Sequence, residues 1–239
     1  MLDRISGLFN GGGAGAAATA SPALSRGEIE ERLRGDGRSL AGANLSGADF
    51  TGLDLSGADL SGAELGRASF SGVNLSGANL SGACLQEADF TRANLRGANL
   101  RDANTARTGA LHPPILTGAD LSDADATGAD FNHANLRDAV LTGARLAEAA
   151  LPRADLTNAR LERADLDGAN LRHATLDAAD FTNAGLQTAD LASVHAVGAR
   201  FGRARLTRAN LSEANLARAD FTGADLTEAT LEGARLNGA

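Results

Sequence analysis

The sequence predicts an all-β repeat solenoid, on three observations: a hydrophobic period of five, a small residue two positions before each apolar centre, and turn-forming residues after it. Leu or Phe stands at positions 40, 45, 50, 55, 60, 65, 70, 75 and 80; the series runs on to 105 and resumes, one residue out of step, from Leu116 to Leu236. That makes 14 units followed by 25, with Leu or Phe central in 36 of the 39 and Ala two residues earlier in 34. A helix needs apolar residues every three or four positions and a flat strand needs strict alternation, so a sustained five satisfies neither. Within a unit the Ala and the Leu or Phe are two apart and share one side of an extended segment. The residues that follow, as in Ser46-Gly47, Ser56-Gly57 and Thr222-Gly223, are turn formers, so the chain bends after every inward pair.

The composition sets the width of the core. The 239 residues include no Trp, no Tyr and eight Phe, so a wide core built round aromatic rings is excluded and a narrow, uniform one is implied. The formal charge is −8, from 30 acidic residues against 22 basic ones, all of them Arg. That balance disfavours direct binding of nucleic acid, which needs clustered positive charge. Cys84 is the one cysteine, so no intramolecular disulfide is expected. Met1-Leu2-Asp3-Arg4 lacks the apolar run of a signal peptide and no stretch is long and apolar enough to span a bilayer, which makes a cytoplasmic location the expectation.

Units such as Ala43-Asn44-Leu45-Ser46-Gly47 and Ala224-Asp225-Leu226-Thr227-Glu228 resemble those of the pentapeptide-repeat family: small residue, Asp or Asn, Leu or Phe, Ser or Thr, Gly. The resemblance covers residues 38–239. It implies a right-handed quadrilateral β-helix with four units per coil and the central Leu or Phe and preceding Ala pointing inward. Neither the handedness nor the four sides follow from the spacing. With four units per coil the repeats make about ten coils, and stacking at roughly 4.8 Å gives a rod on the order of 47 Å long. Phe50, Phe70, Phe90, Phe181, Phe201 and Phe221 are the large core side chains.

Residues 106–115 break the pattern. Pro113 and Pro114 lack the backbone donor that a ladder between coils uses, which predicts a loop pushed out of the rod. Its exposed chemistry, Arg107, Leu111, His112, Pro113 and Pro114, is a candidate partner-binding site. Excising eleven residues would place Phe50, Phe70 and Phe90 on one face with Phe181, Phe201 and Phe221; a one-residue bulge would put the two sets on opposite faces. The excision is favoured if a single face carries the larger side chains.

Before the repeats, Ser25 and Glu28 have the spacing of a capping box, with Leu24 and Ile29 placed as its hydrophobic staple. A helix over about 26–34, ended by Gly35, would lay Leu24, Ile29 and Leu33 on the first coil as a cap, giving a 24–37 capping segment. Residues 1–23 read as a tail with a Gly- and Ala-rich linker, and Leu2, Ile5, Leu8 and Phe9 form a candidate docking peptide. The last unit, around Leu236, shows no matching cap, which predicts a homodimer through the C-terminal coils.

No enzyme motif accompanies the repeats. His133 and His173 fall about 9.6 Å apart at sheet spacing, too far to share a metal ion. Asp49, Asp59, Asp89, Asp120, Asp130, Asp155, Asp165 and Asp180 recur in the slot before the centre, where a short acceptor serves the turn. Neither cofactor nor metal is expected. The leading functional expectation is a non-catalytic, protein-binding scaffold. Two alternatives stand beside it: an acidic rod that mimics DNA and inhibits or protects gyrase, as the family resemblance implies, and a structural component docked through the N-terminal peptide.

Overall fold

The computed structural model describes residues 22–35, 37–104 and 113–239. From Ser39 onward each unit of five contributes one parallel bridge residue to the unit one coil later, and four such ladders run the length of the chain. The first face is the ladder through Asp49, Ser69, Asp89, Ile115 and Asn135 to Arg235. The second runs from Asp54 to Asp220, the third from Ser39 to Asp225, and the fourth from Asn44 past Asn104 and on to Thr230. The chain is therefore a square β-helix.

One unit shows why five residues suffice for a side of the square. The Leu161 amide donates to the Asp180 carbonyl of the next coil at 2.7 Å, the Arg163 amide to the Thr182 carbonyl at 3.0 Å, and the Asp180 amide donates back to the Ala159 carbonyl at 2.9 Å. Between them the Ala164 amide closes a tight turn onto the Leu161 carbonyl at 3.0 Å. Almost every backbone polar group thus finds a partner, as burial along a thin axis requires. The third residue of the turn takes positive φ, +60° at Arg163, which a type II turn demands and which Gly adopts without strain.

Inside, the centres are sealed: Leu161 and the other described central residues from Leu40 to Leu216 are within about 1% of full burial. Rings stack along the axis, Phe50 on Phe70 at 4.5 Å, Phe70 on Phe90 at 4.8 Å, and Phe181, Phe201 and Phe221 at 5.0 Å. These spacings equal the separation of parallel strands, so ring contact and backbone ladder reinforce each other. Where Ala196 replaces a central Leu, Val194 replaces the small residue two positions earlier and is also buried, which restores volume. Pro152 occupies a turn position whose amide elsewhere bonds an Asp or Asn two residues back; here that residue is Ala150, so no bond is lost.

The interruption is shorter in coil register than the Phe positions suggest. Bridged partners are twenty residues apart within each block, but Asp89 pairs with Ile115 and Asn94 with Asp120, twenty-six apart. Six residues are inserted, not eleven and not one. Phe50, Phe70 and Phe90 therefore continue into Leu116 and Leu136 on the first face, whereas Phe181, Phe201 and Phe221 lie on the second, over Leu55, Leu75 and Leu95. The assumption of a single aromatic face fails because a ring contacts only the coils directly above and below it, so separate stacks can stand on different faces; Phe131 is buried on the fourth face, next to Leu151.

Helix α1, Arg26–Arg34, lies at the start of the rod. Ser25 caps it, its Oγ accepting from the Glu28 amide while the Glu28 carboxylate accepts from the Ser25 amide at 2.8 Å. Ile29 is 1% exposed, and Leu24 and Leu33 pack against the same core. The helix also closes backbone groups of the first coil: Leu24 donates to the Asn44 carbonyl, and the Arg26 guanidinium donates to the carbonyls of Asp49 and Thr51. Gly35 ends α1 with φ −69°, so this terminus does not use the left-handed conformation for which Gly is usually selected.

Candidate functional site

With the axis filled, chemistry is confined to the outer faces and corners, each built from three positions of the unit. The residue before the centre carries the bridge. Its carboxylate or amide accepts the amide two residues on, as in Thr51 to Asp49 at 2.8 Å, Ser61 to Asp59 at 3.0 Å, Thr91 to Asp89, Ser122 to Asp120 and Asn132 to Asp130 at 2.9 Å, Thr157 to Asp155 at 3.0 Å, Asp167 to Asp165 at 3.2 Å and Thr182 to Asp180 at 2.9 Å. These aspartates are turn acceptors, and the pairs one might read as catalytic serve the backbone.

Their acidity follows from that bonding. Hydrogen bonds from the Thr51 and Ser61 side chains and amides hold Asp49 and Asp59 below the usual carboxylate range. At Asp120 and Asp180 burial pushes upward, but donation from Ser122 with Arg96, and from Thr182 with Arg200, outweighs it and the net direction is down. All four remain ionised at neutral pH.

Coils are also tied from outside. In the early coils amides form ladders: Asn74 donates to Asp54 at 3.0 Å and Asn94 to Asn74 at 3.0 Å, while Asn79 and Asn99 repeat the arrangement on the third face. Later, ion pairs join such contacts: Arg137–Asp155 at 3.1 Å, Arg172–Asp190 at 3.1 Å, Arg200–Asp180 at 2.7 Å and Arg208–Glu228 at 2.6 Å, beside Asn158 on Asp138 and Asn210 on Asp190.

His133 and His173 occupy equivalent turn positions two coils apart on the fourth face, with Arg153 between them. His195 instead pairs through Nδ1 with Asp177 at 2.6 Å, a contact one coil apart that sequence distance hides. Cys84 is buried in the fourth ladder between Glu64 and Asn104. Among the described residues no cluster of three or more His, Cys, Asp or Glu is arranged to hold a metal ion. No helix among them is long and apolar enough to cross a membrane.

The candidate loop and docking peptide are only partly placed. Arg107, Leu111 and His112, like Leu2, Ile5, Leu8 and Phe9, lie outside the described residues. Pro113 is half-buried, but Pro114 is buried and cannot meet a partner. It fills the inward slot two residues before Leu116 that Ala takes elsewhere, and its carbonyl accepts from the Asn135 amide at 3.2 Å. Lacking an amide proton, Pro114 cannot close the usual turn, and the chain is free to leave the square there. At the far end Phe221, Leu226 and Leu231 are half-buried and Leu236 is 43% exposed.

Depressions among the described residues break the flat faces, and two of them border several charged side chains. One, about 490 Å³, lies beside α1 between Arg26, Leu33, Arg38 and Leu53. The other, about 370 Å³, sits on the second face between Arg96, Asp120, Asp123, Val140, Arg160 and Arg163. Sequence reasoning missed the second, although one signal was present: Val140 stands where the repeat calls for Asp or Asn.

A filled square solenoid with polar faces defines a repeat protein of stacked five-residue units. The chain belongs to the pentapeptide-repeat family: the family described as Pentapeptide repeats matches in eight copies over residues 39–77, 74–104, 115–151, 154–191, 184–223 and 204–239. Among solved structures it is similar to HetL, a pentapeptide repeat protein involved in heterocyst differentiation regulation from the cyanobacterium Nostoc sp. strain PCC 7120, at 36% identity over 89% of this chain and 97% of that one, TM-score 0.63. It is more distantly similar to a trypsin-treated form of QnrB1, a plasmid-mediated fluoroquinolone resistance protein, at 22% identity over 77% and 82%, TM-score 0.40. Rfr23 from the cyanobacterium Cyanothece 51142 matches at 27% identity over 62% and 87%, TM-score 0.36. The comparison with curated proteins gives no match.

Proposed function

We propose that this chain is a non-catalytic scaffold that binds another protein along its faces. The observation that carries the reading is the solid axis: with central residues such as Leu60, Leu121 and Leu166 at 0% exposure, only the rigid exterior is left to act. HetL, similar over nearly its whole length, is described as taking part in regulation, a role that a rigid binding surface suits. The test is an affinity pull-down with the full chain against versions lacking residues 1–10 or 106–115. A specific protein retained by the full chain supports the scaffold, and loss with one deletion assigns the contact to the docking peptide or the loop. No specific protein retained by any version counts against the reading.

A second reading, a DNA-mimicking rod acting on gyrase, draws on the net charge of −8. Carboxylates alternate with guanidiniums up the second and third faces, as in Asp180, Arg200 and Asp220, and such pairs neutralise a stripe instead of extending it. A gyrase supercoiling assay with and without the protein separates the two. The exposed Leu236 fits a homodimer through the C-terminal coils, and light scattering at micromolar concentration tests it: a monomeric mass rules the dimer out. The cytoplasm is the compartment proposed for it.

A further inference from the structure

The scaffold reading leaves open where on the rod a partner sits and what that partner offers. Ladder residues on the second face run Asp54, Asn74, Asn94, Asp120, Val140, Arg160, Asp180, Arg200 and Asp220. Val140 is the one aliphatic residue in the series. The turn gains nothing from this half-buried residue, because an Asp there would accept the Thr142 amide as Asp180 accepts that of Thr182. An apolar group has been put on a polar face at the expense of a turn bond.

Its surroundings give the depression a chemical preference. Below Val140, Arg96 lies 3.5 Å from Asp120 and 3.4 Å from Asp123, so those two carboxylates are already engaged. Above it, Arg160 lies 3.3 Å from Glu162. The Arg163 guanidinium, on the same rim, has no ion-pair or hydrogen-bond partner among the described residues, and Arg163 occupies a left-handed turn position, φ +60°, that Gly143 and Gly223 fill more comfortably in the same column. An unpaired guanidinium on a strained turn, beside a half-buried aliphatic side chain, is the arrangement of a binding hot spot: an apolar contact at the centre with Arg on its rim. The space, about 370 Å³, accommodates a side chain and its flanking backbone, not a folded ligand.

We propose that this depression binds an acidic peptide segment of a protein partner, with an aliphatic side chain seated on Val140 and a neighbouring carboxylate paired with Arg163. Electrostatic complementarity favours this occupant because the one rim charge lacking a counter-ion is positive. The proposal rests on the scaffold reading and deepens it.

Two substitutions test the site without endangering the fold. Val140→Asp installs the residue that the same ladder uses at 120, 180 and 220, and Arg163→Gly installs the residue its column uses at 143 and 223. The full-length protein and both variants are applied to an array of hexapeptides that hold Leu beside Glu or Asp, with matched arrays carrying Lys in place of the acid. Saturable binding to the acidic set, absent from the Lys set and weakened at least tenfold by each variant while melting temperatures hold or rise, is the expected result. No saturable binding to the acidic set, or equal binding by all three proteins, overturns the proposal. The pull-down separates this from failure of the scaffold itself: a partner retained equally by Val140→Asp keeps the scaffold and removes this site. Binding of duplex DNA or of a second copy at these residues, lost in the same variants, also overturns it.

Discussion

The coils before the interruption and those after it share one interior and differ in how their exteriors are joined. Across residues 39–104, nine of the thirteen left-handed turn positions are Gly; across 115–239 only eight of twenty-five are, and the rest carry Arg, Glu, Asp, Asn, His and smaller residues. The early coils are tied mainly by side-chain amide ladders, as from Asn94 through Asn74 to the Asp54 carboxylate, with Arg67–Glu87 the ion pair described within them; the later coils keep amide contacts such as Asn158–Asp138 and Asn210–Asp190 and add Arg–carboxylate pairs. The difference teaches that the five-residue code is written inside. A buried centre and a preceding small residue hold the square, and the turn can bear strain to place a long side chain outside. The proposed binding depression lies in the later block, where such strained turns are frequent.

The largest test of that shared interior is Leu161→Arg, which puts an unpaired charge in the axis. It is expected to cost about 4 kcal/mol or more and to unfold the middle coils, seen as lost amplitude and an early transition in a circular dichroism melt. Phe70→Ala and Phe201→Ala compare the two aromatic stacks directly. Each is predicted to cost about 3–5 kcal/mol, whereas Phe221→Ala, at a half-buried position, costs less in the same denaturant titration. Equal losses at 201 and 221 would show that the last coil is covered in solution.

Asp180→Ala probes the exterior, removing the turn acceptor of Thr182 and the partner of Arg200 for about 1–2 kcal/mol. The pH dependence has a definite sign. Because Asp49, Asp59, Asp120 and Asp180 have depressed folded values, their stabilisation is fully present above the unfolded carboxylate value of about 4 and is lost as pH falls through the lower folded values. Urea midpoints should therefore be flat from neutral to about pH 5 and decline below it, less steeply for Asp180→Ala. The smallest effects come from the turns themselves. Gly77→Thr should destabilise the early block by about 1 kcal/mol, and Thr188→Gly should stabilise the later one by about 0.5–1 kcal/mol.

What could be read from sequence is what repeats locally. The inward Ala and Leu, the turn-serving Asp49 and Asp180, and the spacing of Ser25 and Glu28 involve residues within five positions of each other. What was hidden depends on which coil lies above which. The Arg200–Asp180, Arg145–Asp125 and His195–Asp177 contacts span 18 to 20 residues and become visible only once the coil length is known. The insertion was misjudged for the same reason: the six extra residues leave no mark in the five-residue pattern beyond a one-residue phase shift, so the coil register cannot be recovered from it. Val140 was visible as an exception, but nothing in sequence places Arg96 below it and Arg163 above.

The central claim is that one continuous square axis runs through the interruption with Asp89 over Ile115 and Asn94 over Asp120. Pairwise cysteine crosslinking tests it in a Cys84→Ala background, since parallel ladder partners stand within disulfide reach. Asn94→Cys combined with Asp120→Cys should close a disulfide rapidly under mild oxidation, and Asn94→Cys combined with Asp125→Cys should not. Efficient closure to position 125 instead, or to neither, would contradict the continuous register on which the faces, the stacks and the proposed site all depend.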